Sequence, residues 1–582
     1  MEGTGAPPSS RHHIPWVYLS TLSFFLAGAI FYLYLARVLP TAELGSVVVL
    51  LAIGTLVSAC FSLGLGPGFQ HFLSYYLGRR DPVAVRTLVR SALVSTAVLS
   101  VATAATTAVL AGELSALFFH SGADASLIEI LGVYAGLLTG LTLLQSVLLG
   151  LQRFVVYSAI SILAYAASYG TPIVFLAIWP DLRSVILGWT LGAGLGCALF
   201  LVTVLGRPGG PGGVGLEEGL PKIGPLYRAV LTYSLPLFAA TVITSGAVYV
   251  DRLVLASLSD LASVGVYNYA ILVGSGSLIV TNPFSTILVP KISERFGGGQ
   301  HDAIRGMTTT SITLVVLLYV PFALALAAIG PVLLSFLVGG SFVGASQPMA
   351  ILLGLTAVAV PATVLTSVAA GVRRPAALVR ASAFAVAANA GISFLLVPRI
   401  GMDGAAIGNS AMIWGAFLML WLSLRDTGLL RIDLGSIGRI WASAAAMAAT
   451  IALPLTLLGY PPVLVPAFVG AGLVVLLLML RVTRAVPSEV VEFFEGLLPR
   501  WLGFLRPVIE WLAPGREAPV PAAPSASVAP PPPEEPAAFD AGASAPPPLP
   551  TRPVTEPRTS EPLGATRASV SPEGRAGERL RP

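Results

Sequence analysis

The chain has 582 residues, of which 55% are hydrophobic and only 10% are charged, and its mean hydropathy is +0.84. Soluble globular proteins carry about 25% charged residues, so this composition excludes a soluble globular fold and predicts a polytopic membrane protein. The net charge of +5 does not indicate nucleic-acid binding, because the basic residues concentrate in short loops and in the C-terminal tail. The two cysteines, Cys60 and Cys197, lie in apolar runs, which excludes a disulfide framework and disfavours a bound metal.

Fourteen apolar segments approach the ~20 residues that a helix needs to cross a bilayer. The predicted spans are residues 15–38, 45–67, 88–111, 126–150, 155–179, 183–205, 229–257, 262–289, 307–329, 346–370, 376–398, 403–424, 438–460 and 463–481. Gly339, Gly340 and Gly344 interrupt the apolar run before the tenth span. The pattern predicts an all-α fold with fourteen transmembrane helices.

Lysine and arginine fall almost entirely in every second loop, as at Arg79, Arg153, Lys222 and Lys291. The positive-inside rule assigns these loops, and with them both termini, to the cytoplasm. The opposite loops are short and nearly free of basic residues. We therefore expect no outer domain that could carry catalysis.

Composition divides the chain into seven segments. They are a cytoplasmic N-terminus (1–14), an N-lobe of six spans (15–205), a glycine-rich cytoplasmic linker (206–228), a C-lobe of six spans (229–424), two further spans (425–482), an amphipathic interfacial segment (487–513) and a proline-rich cytoplasmic tail (514–582). The tail has almost no aromatic residues and is predicted to be disordered. Its polyproline runs at 530–533 and 546–550 are either docking sites for a protein partner or plain low complexity.

An internal repeat relates the two lobes. Tyr18 precedes Arg37 by 19 positions, as Tyr233 precedes Arg252, and residues 69–91 align with residues 284–307. Residues 142–153 (TLLQSVLLGLQR) also match residues 363–374 (TVLTSVAAGVRR). The three offsets are 215, 215 and 221 positions. An even number of spans in each repeat predicts two lobes in the same orientation, related by an axis along the membrane normal.

Several segments resemble one known family. YSLPL at 233–237 with VDRLVLASLSDLASVGVYNYA at 250–270 is similar to the seventh-helix signature of Wzx-like polysaccharide flippases, which belong to the multidrug/oligosaccharidyl-lipid/polysaccharide (MOP) exporter superfamily. ARVLPTAELG (36–45), PFSTILVPKISERFGGG (283–299) and VPRIGMDGAAIGNS (397–410) support the resemblance, which covers residues 14–482.

The resemblance implies a MATE-like bundle of two pseudo-symmetric six-helix lobes, plus two helices, around a central cavity. It also implies a function: moving undecaprenyl-diphosphate-linked oligosaccharide across the bacterial inner membrane by alternating access, without a cofactor. The expected partners are this lipid-linked substrate, membrane lipid, and polysaccharide polymerase or export proteins.

Charged residues near the end of the seventh span are the main site candidates. A diphosphate calls for guanidinium groups, and the repeat pairs Arg252 with Arg37, so we predict both as diphosphate ligands. Each arginine has an alternative role as an anchor that reaches the lipid headgroups. Asp251 is the candidate for ion coupling, with fixing of the helix end as its alternative.

Four polar side chains are weaker candidates for lining the cavity. They are Gln70, His71, Asn282 and Asn389. Hydrogen bonding between helices explains such residues equally well.

Other functions remain open at this level. A multidrug antiporter of the MATE type would have about twelve spans and a carboxylate deep within a lobe. A lipid II flippase would cluster arginines in the N-lobe, where residues 45–67 carry no charge. A membrane glycosyltransferase or polymerase would need a large outer loop or an acidic metal site, and the sequence favours neither.

Overall fold

The computed structural model describes residues 14–119, 125–206, 223–372 and 374–487, together with residues 490 and 511. Within these residues every regular element is a helix, which confirms the predicted all-α membrane fold. Most of the predicted linker and interfacial segment, and the whole tail, lie outside the described residues.

Nineteen α-helices are described, and we name α1–α8 the N-lobe and α9–α17 the C-lobe. The N-lobe helices are α1 (Ile14–Val38), α2 (Thr41–Phe61), α3 (Leu65–Gly78), α4 (Pro82–Val109), α5 (Ala111–Phe119), α6 (Ala125–Gly150), α7 (Phe154–Ile178) and α8 (Leu182–Leu205). The C-lobe helices are α9 (Ile223–Leu258), α10 (Leu261–Ser277), α11 (Asn282–Gly297), α12 (His301–Ala328), α13 (Gly330–Leu337), α14 (Ser346–Ala359), α15 (Ala362–Gly371), α16 (Pro375–Ile400) and α17 (Met402–Leu424). Helices α18 (Leu434–Leu457) and α19 (Val465–Val482) follow.

Thirteen helical segments of the described chain are long and apolar enough to cross a membrane. The exception among the predicted spans is 262–289, where α10 ends at Ser277 after 17 residues. A 3-10 turn over Leu278–Thr281 then leads into α11. The N-lobe has a similar break between α2 and α3, where Leu63 and Gly64 adopt positive φ. The count of fourteen spans stays a prediction.

Lipid-facing surfaces follow from the helical periodicity. Along α4, Val94, Val98 and Val101 are each exposed by more than half of their surface. Residues at this spacing share one face of a helix, so they form an apolar stripe. A stripe of this kind is stable against hydrocarbon and unfavourable in water.

The repeat appears in the helix boundaries. Equivalent helices begin 217 to 221 positions apart, at Thr41 and Leu261, Leu65 and Asn282, Pro82 and His301, Phe154 and Pro375, and Leu182 and Met402. A side-chain contact also repeats: Ser74 Oγ donates to the Gly150 carbonyl at 3.0 Å, and Ser293 Oγ donates to the Gly371 carbonyl at 3.2 Å. Two equivalent lobes are therefore present.

The two lobes meet where α2 crosses α10. A Cβ atom added to Gly45 would overlap the carbonyl oxygen of Leu261, and one added to Gly265 would overlap the carbonyl oxygen of Thr41. Because Thr41 and Leu261, like Gly45 and Gly265, are 220 positions apart, the contact is reciprocal. Reciprocal contacts are the mark of a two-fold axis, here a pseudo-two-fold axis through the crossing. Glycine at both positions lets the backbones approach closely.

Two of the three sequence alignments of the repeat are wrong in register: the match of 69–91 with 284–307 and the pairing of Arg37 with Arg252. The match of 142–153 with 363–374 agrees with the contacts at Gly150 and Gly371. The match of 69–91 with 284–307 is displaced, because Ser74 pairs with Ser293, 219 positions away rather than 215. A shift of four residues keeps the same face of a helix, so apolar patterning cannot detect it.

Helix α9 contacts both lobes. Near its start, Val230 is buried in the N-lobe cluster of α3 and α4, and the Tyr227 hydroxyl lies 3.0 Å from Ser95 Oγ. Near its end, Val254 and Leu255 belong to the larger cluster that includes the C-lobe core. The charged residues of the seventh span therefore lie on a helix that runs from one lobe to the other.

Candidate functional site

Helix α9 carries Asp251 and Arg252 less than two turns before its end at Leu258. Adjacent residues of a helix point about 100° apart, so the two side chains meet different neighbours. Asp251 is fully buried and Arg252 is 8% exposed. Burying two charges is costly unless partners compensate, and these partners define the site.

Asp251 is held by two other helices. Its Oδ2 accepts a hydrogen bond of 2.8 Å from the Tyr267 hydroxyl on α10 and one of 3.1 Å from Asn409 Nδ2 on α17. Its Oδ1 is also buried, yet it has no hydrogen-bond partner in the described part of the chain. A buried carboxylate oxygen without a donor is suited to take up a proton or a small cation.

Arg252 is compensated only in part. Its Nη1 donates to the Val248 carbonyl at 3.0 Å, and its guanidinium lies 5.3 Å from the centre of the Tyr249 ring. The Nε is buried without a partner among the described residues. The ion pairs recorded there lie at the surface and do not include Asp251 with Arg252. The guanidinium therefore keeps donor capacity for a ligand.

Arg252 also borders a cavity of about 150 Å³ between α9, α10, α14 and α17. Asn409 lines the same cavity, so one side chain contacts both Asp251 and the empty space. Ser275 and Thr356 add hydroxyl groups to the wall. A cavity of this volume has room for a phosphate-sized group.

The site lies close to the N-lobe. The Tyr269 hydroxyl of α10 donates to the Tyr32 carbonyl of α1 at 2.7 Å, which links the lobes beside the site. The Tyr32 side chain lies near Arg252 and Tyr249. A change in the lobe arrangement would therefore alter the surroundings of Arg252.

The predicted equivalence of Arg37 and Arg252 is wrong. Helix α1 ends at Val38 and α9 at Leu258, each three positions before the next helix begins. This register pairs Arg37 with Ser257 and Arg252 with Tyr32. Arg37 is exposed in the last turn of α1. A shift of five positions arose because the alignment relied on a single tyrosine and a single arginine in apolar sequence.

The weaker candidates lie in different places. Gln70 and His71 are exposed on α3, where the His71 ring stacks on Tyr233 with centroids 4.6 Å apart. Asn389 is fully buried on α16, accepts a bond of 3.1 Å from Ser393 Oγ, and leaves its Nδ2 without a partner among the described residues. Asn282 begins α11, and its side chain lies outside what the structure describes.

Sequence reasoning missed Tyr267 and Asn409. Both lie within the segments that carry the family resemblance, 250–270 and 397–410. An asparagine in an apolar helix and a tyrosine 16 positions after Asp251 were signals of a polar partner. Nothing local indicated that they bind the same carboxylate oxygen, because α9, α10 and α17 meet only in the folded lobe.

Two equivalent helical lobes with a charged site buried in one of them define a two-lobed membrane transporter. A family model described as "Polysaccharide biosynthesis protein" matches residues 12–296, which cover the N-lobe and the helix that carries the charged pair. Just under half of the chain is thus similar to this family, and the predicted resemblance is confirmed.

Solved structures agree on the fold. The chain is similar to "Lipid II flippase MurJ, inward closed conformation", with a TM-score of 0.63 and 13% identity over 80% of this chain and 98% of that chain. It is also similar to "Inward-facing conformation of a multidrug resistance MATE family transporter of the MOP superfamily", with a TM-score of 0.61 and 14% identity over 70% and 95%. The predicted MATE-like fold is thus confirmed. No curated protein matches the sequence.

Proposed function

We propose that this protein flips a polyprenyl-diphosphate-linked oligosaccharide across the bacterial inner membrane by alternating access, coupled to an ion gradient and without catalysing a reaction. The similarity of residues 12–296 to a polysaccharide biosynthesis family and the fold shared with a lipid II flippase support the proposal. The observation that carries it is the buried guanidinium of Arg252, which borders a phosphate-sized cavity and whose Nε has no partner among the described residues.

The chemistry of the substrate explains why this arrangement suits it. A diphosphate must leave water without crossing bare hydrocarbon, while the polyprenyl tail stays in lipid. Guanidinium binds phosphate through two parallel hydrogen bonds and stays charged when desolvated. Among the described residues, Tyr267 and Asn409 donate hydrogen bonds to the Asp251 carboxylate and the Arg252 guanidinium does not, so the guanidinium is available for this role.

Asp251 is proposed as the coupling group. A proton or cation at its bare Oδ1 would remove a negative charge next to Arg252. The guanidinium would then attract the anionic diphosphate more strongly. By linkage, substrate at Arg252 would also favour ion binding at Asp251, and this reciprocity is what a coupled transporter requires.

Transfer measurements in proteoliposomes test the proposal. The purified full-length protein would be reconstituted with a labelled polyprenyl-diphosphate oligosaccharide, and transfer between leaflets would be followed. Hydrogen bonds to charged groups contribute about 1.5–3 kcal/mol, so Arg252→Ala is expected to slow transfer at least about 10-fold. Arg37→Ala is the matched control, since it removes an exposed arginine from the end of the other lobe's first helix.

Three outcomes would change the assignment. Unchanged transfer in a well-folded Arg252→Ala protein would remove the diphosphate role of Arg252. Equal losses in both variants would restore Arg37 as a second ligand. Transfer of lipid II alone would make the protein a lipid II flippase.

A MATE-type cation antiporter is the second candidate, because the bare Oδ1 of Asp251 suits a cation. Export of cationic drugs by the same proteoliposomes, without movement of any lipid-linked sugar, would favour it over the flippase.

A further inference from the structure

The N-lobe has a second cavity, of about 440 Å³, between the start of α7 and the end of α8. Its wall includes Arg153, Gln152 and Thr203, together with the valines 156 and 202. This cavity is distant in the sequence from the Asp251 site and belongs to the lobe that lacks that site. The proposed function does not use it.

The repeat supplies a direct comparison for this cavity. Arg153 and Arg374 occupy the same position, directly before α7 and α16, 221 positions apart. In the C-lobe, Arg374 Nη1 donates to the carbonyl of Ser423 near the end of α17, at 2.7 Å. The N-lobe counterpart of Ser423 is Thr203, 220 positions earlier near the end of α8.

The N-lobe does not make the equivalent bond. Within the described part of the chain, the Arg153 guanidinium is assigned no hydrogen bond or ion pair, and Arg153 and Thr203 both line the cavity. Among the described residues, the two helix ends that Arg374 joins in the C-lobe therefore border a cavity in the N-lobe and are not joined by Arg153. The half-buried guanidinium of Arg153 therefore has no acceptor among the described residues.

The wall of the cavity combines one positive charge with apolar side chains. Val202 is 67% exposed and Val156 is 39% exposed, as expected of side chains that face lipid. Among the described residues that line the cavity none is acidic. The cavity near the start of α12 differs, because Glu294 stands beside Lys291 and Arg295 there and offsets their charge.

We propose that the cavity between α7 and α8 binds the phosphate headgroup of an anionic glycerophospholipid. Arg153 pairs with the phosphate, the Gln152 amide donates to the headgroup, and an acyl chain runs along Val156 and Val202. Basic pockets between transmembrane helices on the side of the basic loops bind anionic lipid in this manner. The bound lipid takes the place of the Arg374–Ser423 bond and joins the helix ends in the N-lobe.

Native mass spectrometry of the delipidated full-length protein tests this proposal. Phosphatidylglycerol and phosphatidylcholine with identical acyl chains would be titrated separately. We expect one phosphatidylglycerol to bind at least about tenfold more tightly than phosphatidylcholine, and Arg153→Gln to abolish the difference. Arg374→Gln is the matched control and should keep the lipid preference while lowering the Tm. Val202→Trp, which narrows the mouth without changing charge, should weaken both lipids.

Four results would overturn the proposal. The first is equal affinity for the two lipids, and the second is an Arg153→Gln protein that binds them like the wild type. The third is tight phosphatidylglycerol binding that occurs only after Glu217→Gln and Glu218→Gln in the linker. The fourth is displacement of phosphatidylglycerol by a polyprenyl diphosphate that binds more tightly. The third result would assign the cavity to the linker carboxylates. The fourth would assign it to the transported substrate, a result that leaves the role of Arg252 to its own test.

Discussion

The two lobes share a backbone plan but differ at the position of the buried Asp251. In the repeat register, Asp251, Tyr267 and Asn409 of the C-lobe correspond to Phe31, Val47 and Trp189 of the N-lobe, each 220 positions earlier. The Phe31 and Trp189 rings lie 5.9 Å apart, where the C-lobe has the Asp251–Asn409 hydrogen bond. The same contact is aromatic in one lobe and polar in the other.

This comparison separates what the fold requires from what function requires. An apolar trio fills the position in the N-lobe, so the architecture does not need a carboxylate there. A buried charge is expensive within a membrane, and such residues are functional by default. The asymmetry therefore supports assigning the proposed coupling and binding roles to the C-lobe.

The largest expected effect on stability comes from disrupting the contact between α2 and α10 at the pseudo-two-fold axis. Gly265→Ala would add a Cβ against the backbone of Thr41, where no flexible side chain can yield. Overpacking typically costs about 1–3 kcal/mol, and a backbone clash at the lobe interface should exceed this range. Gly276→Ala on the same helix meets no atom within 4 Å and is the matched control. Expression yield and Tm in detergent would be measured for both variants. Similar values for the two would contradict the close contact between α2 and α10.

Asp251→Asn would make the C-lobe trio of Asp251, Tyr267 and Asn409 uncharged, like its N-lobe counterpart. The amide keeps the size of the side chain but cannot take up a proton or bind a cation strongly. We expect the dependence of transfer on an imposed ion gradient to disappear, with gradient-driven transfer falling about tenfold. Proteoliposomes with and without the gradient provide the measurement. A variant that still responds to the gradient would exclude Asp251 as the coupling group.

Tyr267→Phe removes one donor from the carboxylate. Hydrogen bonds to charged groups contribute about 1.5–3 kcal/mol, whereas neutral ones contribute about 0.5–1.5 kcal/mol. The matched control is Tyr319→Phe, which removes a buried bond of the same length, 2.8 Å, to a neutral serine. Thermal unfolding should show a larger loss of stability for Tyr267→Phe than for Tyr319→Phe. Equal losses would indicate that Asp251 is uncharged in the folded protein.

The smallest expected effect on stability concerns the N-cap residues of α4 and of its counterpart, α12. Asp81 accepts bonds from the backbone of Val83 and Ala84 at the start of α4, while Gln300 before α12 makes no side-chain cap bond. Asp81→Ala should cost about 1 kcal/mol, and Gln300→Ala should be nearly neutral. Gln300→Asp should stabilise the protein slightly. Thermal unfolding of the three variants checks the ranking, and an equal cost for both alanine variants would contradict it.

Much of the fold was predictable from sequence, and the site only in part. Apolar periodicity predicted the helices, and the matched segments predicted two lobes in parallel orientation. Asp251 and Arg252 were identified because charges are rare in apolar helices. The pairing of Arg37 with Arg252 failed, because one tyrosine and one arginine in apolar sequence are too few residues to fix the register. Arg153 was taken for a topology signal, and its cavity became visible only beside Arg374.

The sequence by itself determined that this is a two-lobed, helical membrane protein, because hydropathy and repetition are local properties of the chain. Only the tertiary structure decided which charges are buried and what they contact. Asp251 meets Tyr267 and Asn409 because three helices converge, and Arg252 faces a cavity because four do. Contacts between distant segments depend on helix register and packing, and a register error of a few residues changes every one of them.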